Sequence, residues 1–232
     1  ITSGDHITNE NYLIPAGDPL AEPVLVAPRR TGHEYHLDHR EGEFYIRTND
    51  QHSNFRLVRT PEDQPGEDHW YDVIDGSDDH YLTDHLCFKH YLIVTERIAG
   101  LDQVRIIAAD GSSHRIEFPE VAYSADFGAN AEYDATSLRL VYESMVTPTT
   151  VYDYDLATRT LARRKVREIP SGYDPALYET QRVMVTARDG TRIPASIVYH
   201  TKTSLDGSAP GYLYGYGAYG HAVTPGFSPS RL

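Results

Sequence analysis

At 232 residues the chain has room for one large domain or two small ones, and 21 lysines and arginines against 34 aspartates and glutamates leave a net charge of −13. That balance excludes the basic footprint of a nucleic-acid binder; it favours solubility and can steer cationic peptides through the summed field. An apolar fraction of 40% is enough for a core, while no apolar run approaches the ~20 residues of a membrane span.

The opening, Ile1-Thr2-Ser3-Gly4-Asp5, has neither the basic nor the apolar region of a secretory signal and reads as the middle of something longer. Asn11–Ile14 and Val24–Ala27 read as the two outer strands of a four-stranded unit whose inner half is missing. The chain then repeats itself. Tyr35-His36-Leu37-Asp38-His39 returns as Tyr81-Leu82-Thr83-Asp84-His85, 46 residues later. Phe44–Thr48 is echoed by Tyr91–Thr95 and then by Leu140–Ser144. Each period holds short runs rich in β-branched and aromatic residues, separated by turn signals such as Arg40-Glu41-Gly42 and Asp110-Gly111. Strands are expected at 34–39, 44–49, 54–59 and 70–74; at 80–86, 91–96, 103–108 and 114–118; and at 121–127, 138–144, 150–155 and 160–167. Four strands in 40–50 residues is the period of a β-propeller blade. Three and a half such blades do not close a ring, so the expected fold is mainly β and part of a propeller rather than a freestanding sandwich.

Three features of this region invite a functional reading. His33 and His36 invite zinc, but their spacing is not that of H-E-x-x-H, and on a strand an odd separation puts them on opposite faces; they are expected to be packed or solvated, and no metal is expected. The acidic run Asp75–Asp79 lacks the terminal glutamate of a calcium loop and reads as a solvated turn between blades. Cys87, the single cysteine, sits in Leu86-Cys87-Phe88 and reads as a small buried hydrophobe. Without a disulfide the chain suits a reducing cytoplasm, the expected location. Asp38-His39 and Asp84-His85 recur at blade spacing, which points to a repeated structural hydrogen bond.

After residue 168 the pattern changes. Ile169–Pro175 is a Pro/Gly linker, and two strands, Gln181–Ala187 and Arg192–Tyr199, flank the hairpin signal Arg188-Asp189-Gly190-Thr191. A polar loop at 200–208 leads through Pro210 into an expected strand, Tyr212–Tyr216. There the chain reads Leu213-Tyr214-Gly215-Tyr216-Gly217-Ala218-Tyr219-Gly220. Glycines let backbone approach a ligand closely, tyrosines bring phenolic donors, and a strand opening into such a loop can aim donors at an oxyanion.

This segment, with Phe44–Asn49, Asn54–Arg59, Ala187–Gly190 and Ser230–Leu232, closely resembles the prolyl oligopeptidase family of serine peptidases and its oligopeptidase B (protease II) branch, along essentially the whole chain. The resemblance implies a seven-bladed propeller whose C-terminal half is residues 1–168, followed by 169–232 as the N-terminal part of an α/β-hydrolase domain. It implies hydrolysis of short peptides through a serine ester, after Arg or Lys, without cofactor. Tyr216 corresponds to the oxyanion-hole tyrosine and Tyr219 to an aromatic residue that packs on substrate. No G-x-S-x-G is present: Gly207–Gly211, Gly226–Ser230 and Gly111–Arg115 all fail the pattern, so the serine, aspartate and histidine of the triad lie outside the chain, and the chain alone is expected to be inactive. The stretch Val223–Phe227 lacks the acids that the branch often carries there, which removes one basis for a paired-basic preference. The expected partners are short peptides and the remainder of the same enzyme. The rival reading is a non-catalytic propeller that binds a protein partner; it accounts for the missing nucleophile and not for the glycine–tyrosine motif.

Overall fold

A computed structural model describes all 232 residues. Seventeen strands and two short 3-10 turns, Glu67–His69 and Pro175–Leu177, account for its regular structure. The first sheet contains β1 (Thr2–Gly4), β2 (Asn9–Leu13) and β3 (Val24–Leu25), in that order. The incomplete unit expected at the start therefore has three strands rather than two. Thr2–Gly4 was not legible as a strand because it is exposed and carries no alternating apolar pattern; it is held by pairing with Asn9–Asn11.

Three four-stranded antiparallel blades follow. The first contains β4 (Tyr35–Arg40), β5 (Glu43–Thr48), β6 (Arg56–Pro61) and β7 (Tyr71–Ile74). In the second are β8 (His80–Cys87), β9 (Tyr91–Ile98), β10 (Leu101–Ala108) and β11 (Ser113–Arg115). The third contains β12 (Tyr123–Phe127), β13 (Ser137–Ser144), β14 (Thr150–Asp155) and β15 (Thr160–Val166). In each blade consecutive strands are neighbours, as short turns between antiparallel strands require. All twelve expected blade strands are present, with ends displaced by a few residues. A last hairpin joins β16 (Tyr178–Thr186) to β17 (Arg192–His200). No helix is long and apolar enough to cross a membrane.

The chain forms two compact units: Ile1–Ile98 with Arg105–His114, and Ala99–Val104 with Arg115–Leu232. In the first unit, one apolar core joins Val26, Ala27, Tyr35, Ile46 and Val58, flanked by Trp70. A second joins Tyr45, Phe55, Leu57, Leu82, Cys87, Leu92 and Val94 across the first two blades. In the second unit, Leu138, Leu140 and Tyr142 are fully buried along β13. Phe118 stacks on Tyr142 at 5.3 Å, and the Tyr142 hydroxyl donates to Glu120 at 2.6 Å.

Polar ties connect the blades of the first unit. Arg47 Nη1 donates to the Leu82 carbonyl at 3.0 Å, and His85 Nε2 lies 2.9 Å from the Tyr45 carbonyl. The repeated aspartates act as expected: Asp38 and Asp84 each accept the N–H of the next residue at 2.8 Å. A third copy, in Tyr123-Ser124-Ala125-Asp126-Phe127, does the same at 2.7 Å. Sequence reading missed it because phenylalanine stands where histidine stood; the tyrosine three residues before the aspartate was the signal that could have found it.

Candidate functional site

The candidate site lies in the second unit, in the chain after β17. The β16–β17 hairpin turns where the sequence predicted: Gly190 has φ +89°, its N–H donates to the Ala187 carbonyl, and Thr191 N–H donates to Asp189 Oδ1. Tyr178 through Thr186 pair residue by residue with His200 through Arg192. Beyond it, Asp206 Oδ1 accepts both the N–H and the hydroxyl of Ser208.

Here one expectation fails. Residues 211–217 form no strand. β16 and β17 pair only with each other, so Tyr212–Tyr216 has no strand beside it to satisfy its backbone, and three closely spaced glycines add no packing to compensate. The segment stays in solvent: Leu213 is 97% exposed and Tyr216 52%.

Tyr216 contacts the ring of His221 edge-on at 5.7 Å. Tyr219 is 87% exposed and sits in a tight turn closed by the His221 N–H donating to the Ala218 carbonyl. Tyr219 and Gly220 have φ of +58° and +68°, the two positive values that a type I′ turn demands. Glycine adopts this conformation freely; a tyrosine there is held at a cost of roughly 1–3 kcal/mol. The turn projects the Tyr219 ring outward.

Beside this turn is an open pocket of about 280 Å³ lined by Glu143, Tyr214, His221 and Arg231, with Val223, Thr224 and the run Gly226–Ser228. Its floor is anchored. Phe227 is buried and meets Tyr173 edge-on at 5.1 Å, while the Tyr173 hydroxyl donates to the Val146 carbonyl at 2.6 Å. Burial, with neighbouring Tyr178, pushes the Tyr173 phenol up to about 12, so it remains a donor. Glu143, on β13, accepts from the Thr149 hydroxyl at 2.9 Å. The Arg231 guanidinium lies over the Tyr214 ring at 4.4 Å. Sequence reading had no signal for Glu143: it is one charged position in a strand, remote in sequence from the motif it meets.

The other sequence candidates are structural. His33 is buried, with Nε2 2.9 Å from Thr48 Oγ1, Nδ1 accepting from Arg30 and its ring stacked on Tyr35. His36 is exposed on β4. Asp75–Asp79 is the turn between β7 and β8, tied down by Asn54 donating to the Ser77 carbonyl. Cys87 is a buried free thiol in the core, and burial, then Asp38, pushes its pKa well above the usual thiol range.

Residues 1–167 match the family model of the prolyl oligopeptidase N-terminal beta-propeller domain. The chain is 39% identical to dipeptidyl aminopeptidase BI of Pseudoxanthomonas mexicana over 97% of its own length and 31% of that protein's. It is 30% identical to Protease 2 of Moraxella lacunata over its whole length and 33% of that protein's. Among solved structures it resembles oligopeptidase B of Leishmania major, with a TM-score of 0.86 and 29% identity over 98% of this chain and 33% of that one. It likewise resembles the closed form of Trypanosoma brucei oligopeptidase B with covalently bound antipain, with a TM-score of 0.85 and 28% identity over 98% of this chain and 34% of that one. The chain thus spans about a third of the length of the relatives it matches.

Proposed function

The chain belongs to the prolyl oligopeptidase family, through an N-terminal β-propeller domain matched at residues 1–167, and on that premise we propose that it is part of a serine-type oligopeptidase of the oligopeptidase B kind. Residues 1–168 are propeller blades and 169–232 open the α/β-hydrolase domain. The whole protein hydrolyses short peptides, after Arg or Lys, in the cytoplasm. The triad lies outside this chain.

The observation that carries the reading is the glycine–tyrosine loop, with the Tyr216 and Tyr219 side chains exposed and the tight turn at Tyr219 and Gly220. In this reading a serine supplied by the rest of the enzyme attacks the scissile carbonyl. The C=O π bond becomes a C–O⁻ single bond as the serine–carbonyl bond forms, and a general base takes the serine proton. The Tyr216 hydroxyl donates to the developing oxyanion. Such a donor acts because it binds the tetrahedral oxygen more strongly than the ground-state carbonyl. Tyr219 offers its ring to the bound peptide. A protein-binding propeller has no use for either arrangement.

A second reading concerns the mode of cleavage. The 39% identical relative is named a dipeptidyl aminopeptidase, so release of dipeptides from a free amino terminus competes with internal cleavage. One experiment tests both. The full-length protein is treated with a fluorophosphonate and assayed on Arg- and Lys-containing peptide amides with free or blocked amino termini. Stoichiometric labelling with loss of turnover supports the peptidase reading; turnover confined to free-amine substrates selects the dipeptidyl mode. Absence of both labelling and turnover would overturn the proposal.

A further inference from the structure

We propose that Glu143 and Tyr214 form a recognition site for a basic side chain of the peptide substrate; this rests on the peptidase reading and adds a specificity residue to it. The site is the 280 Å³ pocket beside the Tyr216–His221 pair. Glu143 is its only acidic lining residue, and the whole stretch 213–232 contains neither aspartate nor glutamate. The single negative charge therefore comes from a propeller strand, β13, rather than from the loop that carries the catalytic tyrosine.

The geometry aims that charge. One carboxylate oxygen, Oε2, accepts the Thr149 hydroxyl. The other, Oε1, faces Gly226: a Cβ built there would stand 2.7 Å from it. Any larger residue at 226 would push the carboxylate or the loop aside, so glycine lets the loop lie directly against the charge. Phe227, packed on Tyr173 and through it on the Val146 carbonyl, holds the loop there. Val146 and Thr149 belong to the connection between β13 and β14, so one short segment positions both the carboxylate and the pocket floor.

The chemistry of the guest is displayed by the protein itself. Arg231 lays its guanidinium over Tyr214 at 4.4 Å in the same pocket, a cation on the negative face of an aromatic ring. A planar cation beside a carboxylate and an aromatic face is the arrangement that selects arginine, and lysine less strongly. Arg231 is exposed and is free to yield the ring to a substrate side chain. A purely structural Glu143 would need only its acceptor oxygen for Thr149, and glutamine retains that oxygen. Charge is thus the quantity to test.

In the full-length protein, kcat/KM is measured for a peptide series, with free or blocked amino termini according to which form the unmodified enzyme turns over, in which arginine is replaced by norleucine at each position in turn, for the unmodified enzyme, Glu143→Gln and Glu143→Asp. Active enzyme is counted with a serine-directed inhibitor, so partial unfolding does not enter the ratios. The expected result is one position at which the Arg/norleucine ratio falls at least tenfold in Glu143→Gln, carried by KM, with most of the ratio kept by Glu143→Asp. Ratios within twofold of the unmodified enzyme at every position, with turnover retained, would overturn the assignment of Glu143 while leaving the peptidase reading intact. If the unmodified protein shows neither labelling nor turnover, the peptidase reading fails and this inference falls with it.

Discussion

The backbone N–H of Cys87 donates to Asp38 Oδ2 at 2.6 Å, across 49 residues of sequence. The same carboxylate receives the N–H of His39, so one side chain binds the backbone of its own strand and clasps the next blade. Asp84, its counterpart one period later, is exposed and caps the His85 N–H. Repeat-equivalent aspartates therefore differ in energetic weight. Asp38→Ala leaves the N–H of a buried residue without its partner and is expected to cost about 1–3 kcal/mol. Asp84→Ala is expected to stay within about 0.5 kcal/mol, as for an ordinary surface change. Urea unfolding of both variants decides the matter, and equal costs would show that the contact between blades contributes nothing.

Cys87 should be chemically silent in the folded protein. Its side chain lies in the apolar core, and burial together with the nearby Asp38 charge disfavours the thiolate, which is the reactive form. Reaction with an aromatic disulfide reagent at pH 8 is expected to be at least about 100-fold slower than in denaturant. Immediate stoichiometric reaction of the native protein would refute this placement.

Stability should fall as the pH drops below about 6.5. Burial lowers the pKa of His33, assisted by the Arg30 charge, and of His85, where Arg47 lowers it while Asp38, Asp84 and the hydrogen bond to Tyr45 oppose the shift. Histidines with depressed folded pKa values stay neutral in the native state, while the unfolded chain binds protons near its ordinary value of about 6.5. The unfolded state then holds more protons, so stability is fully present above that pH and is lost as pH falls toward the folded values, by up to about 1.4 kcal/mol per unit and per group. Denaturant midpoints between pH 7.5 and 5.5 measure the slope. His85→Gln, which can still donate to the Tyr45 carbonyl, should flatten it; an unchanged slope would assign the effect elsewhere.

Tyr216→Phe in the full-length enzyme should lower kcat by roughly 10²–10³ with a smaller change in KM, the signature of a lost oxyanion donor. Saturation kinetics and a single-turnover measurement of the chemical step give the answer. A kcat within twofold of the unmodified enzyme, with chemistry limiting, would reduce Tyr216 to a partner of His221.

The blades were legible because their information is local. A β-strand announces itself by alternation and by the turns at its ends, so the strand run from Tyr35 to Val166 could be placed to within a few residues. Cys87 and the hairpin at Gly190 were legible for the same reason. The strand expected at Tyr212–Tyr216 was not decided locally: its composition suits a strand, but a strand exists only beside another, and here none lies beside it.

Sequence alone determined the period, the strand composition, the absence of a nucleophile elbow and the pair of tyrosines, Tyr216 and Tyr219, around which a site could form. Tertiary structure decided which charge the glycine–tyrosine segment meets, by bringing Glu143 into one pocket with Tyr214. Glu143 reaches the glycine–tyrosine loop because β13 carries it there and because Gly226 leaves room for its carboxylate. Neither the distance nor the orientation is encoded near either residue; both arise where two remote segments pack, and packing is a property of the folded chain.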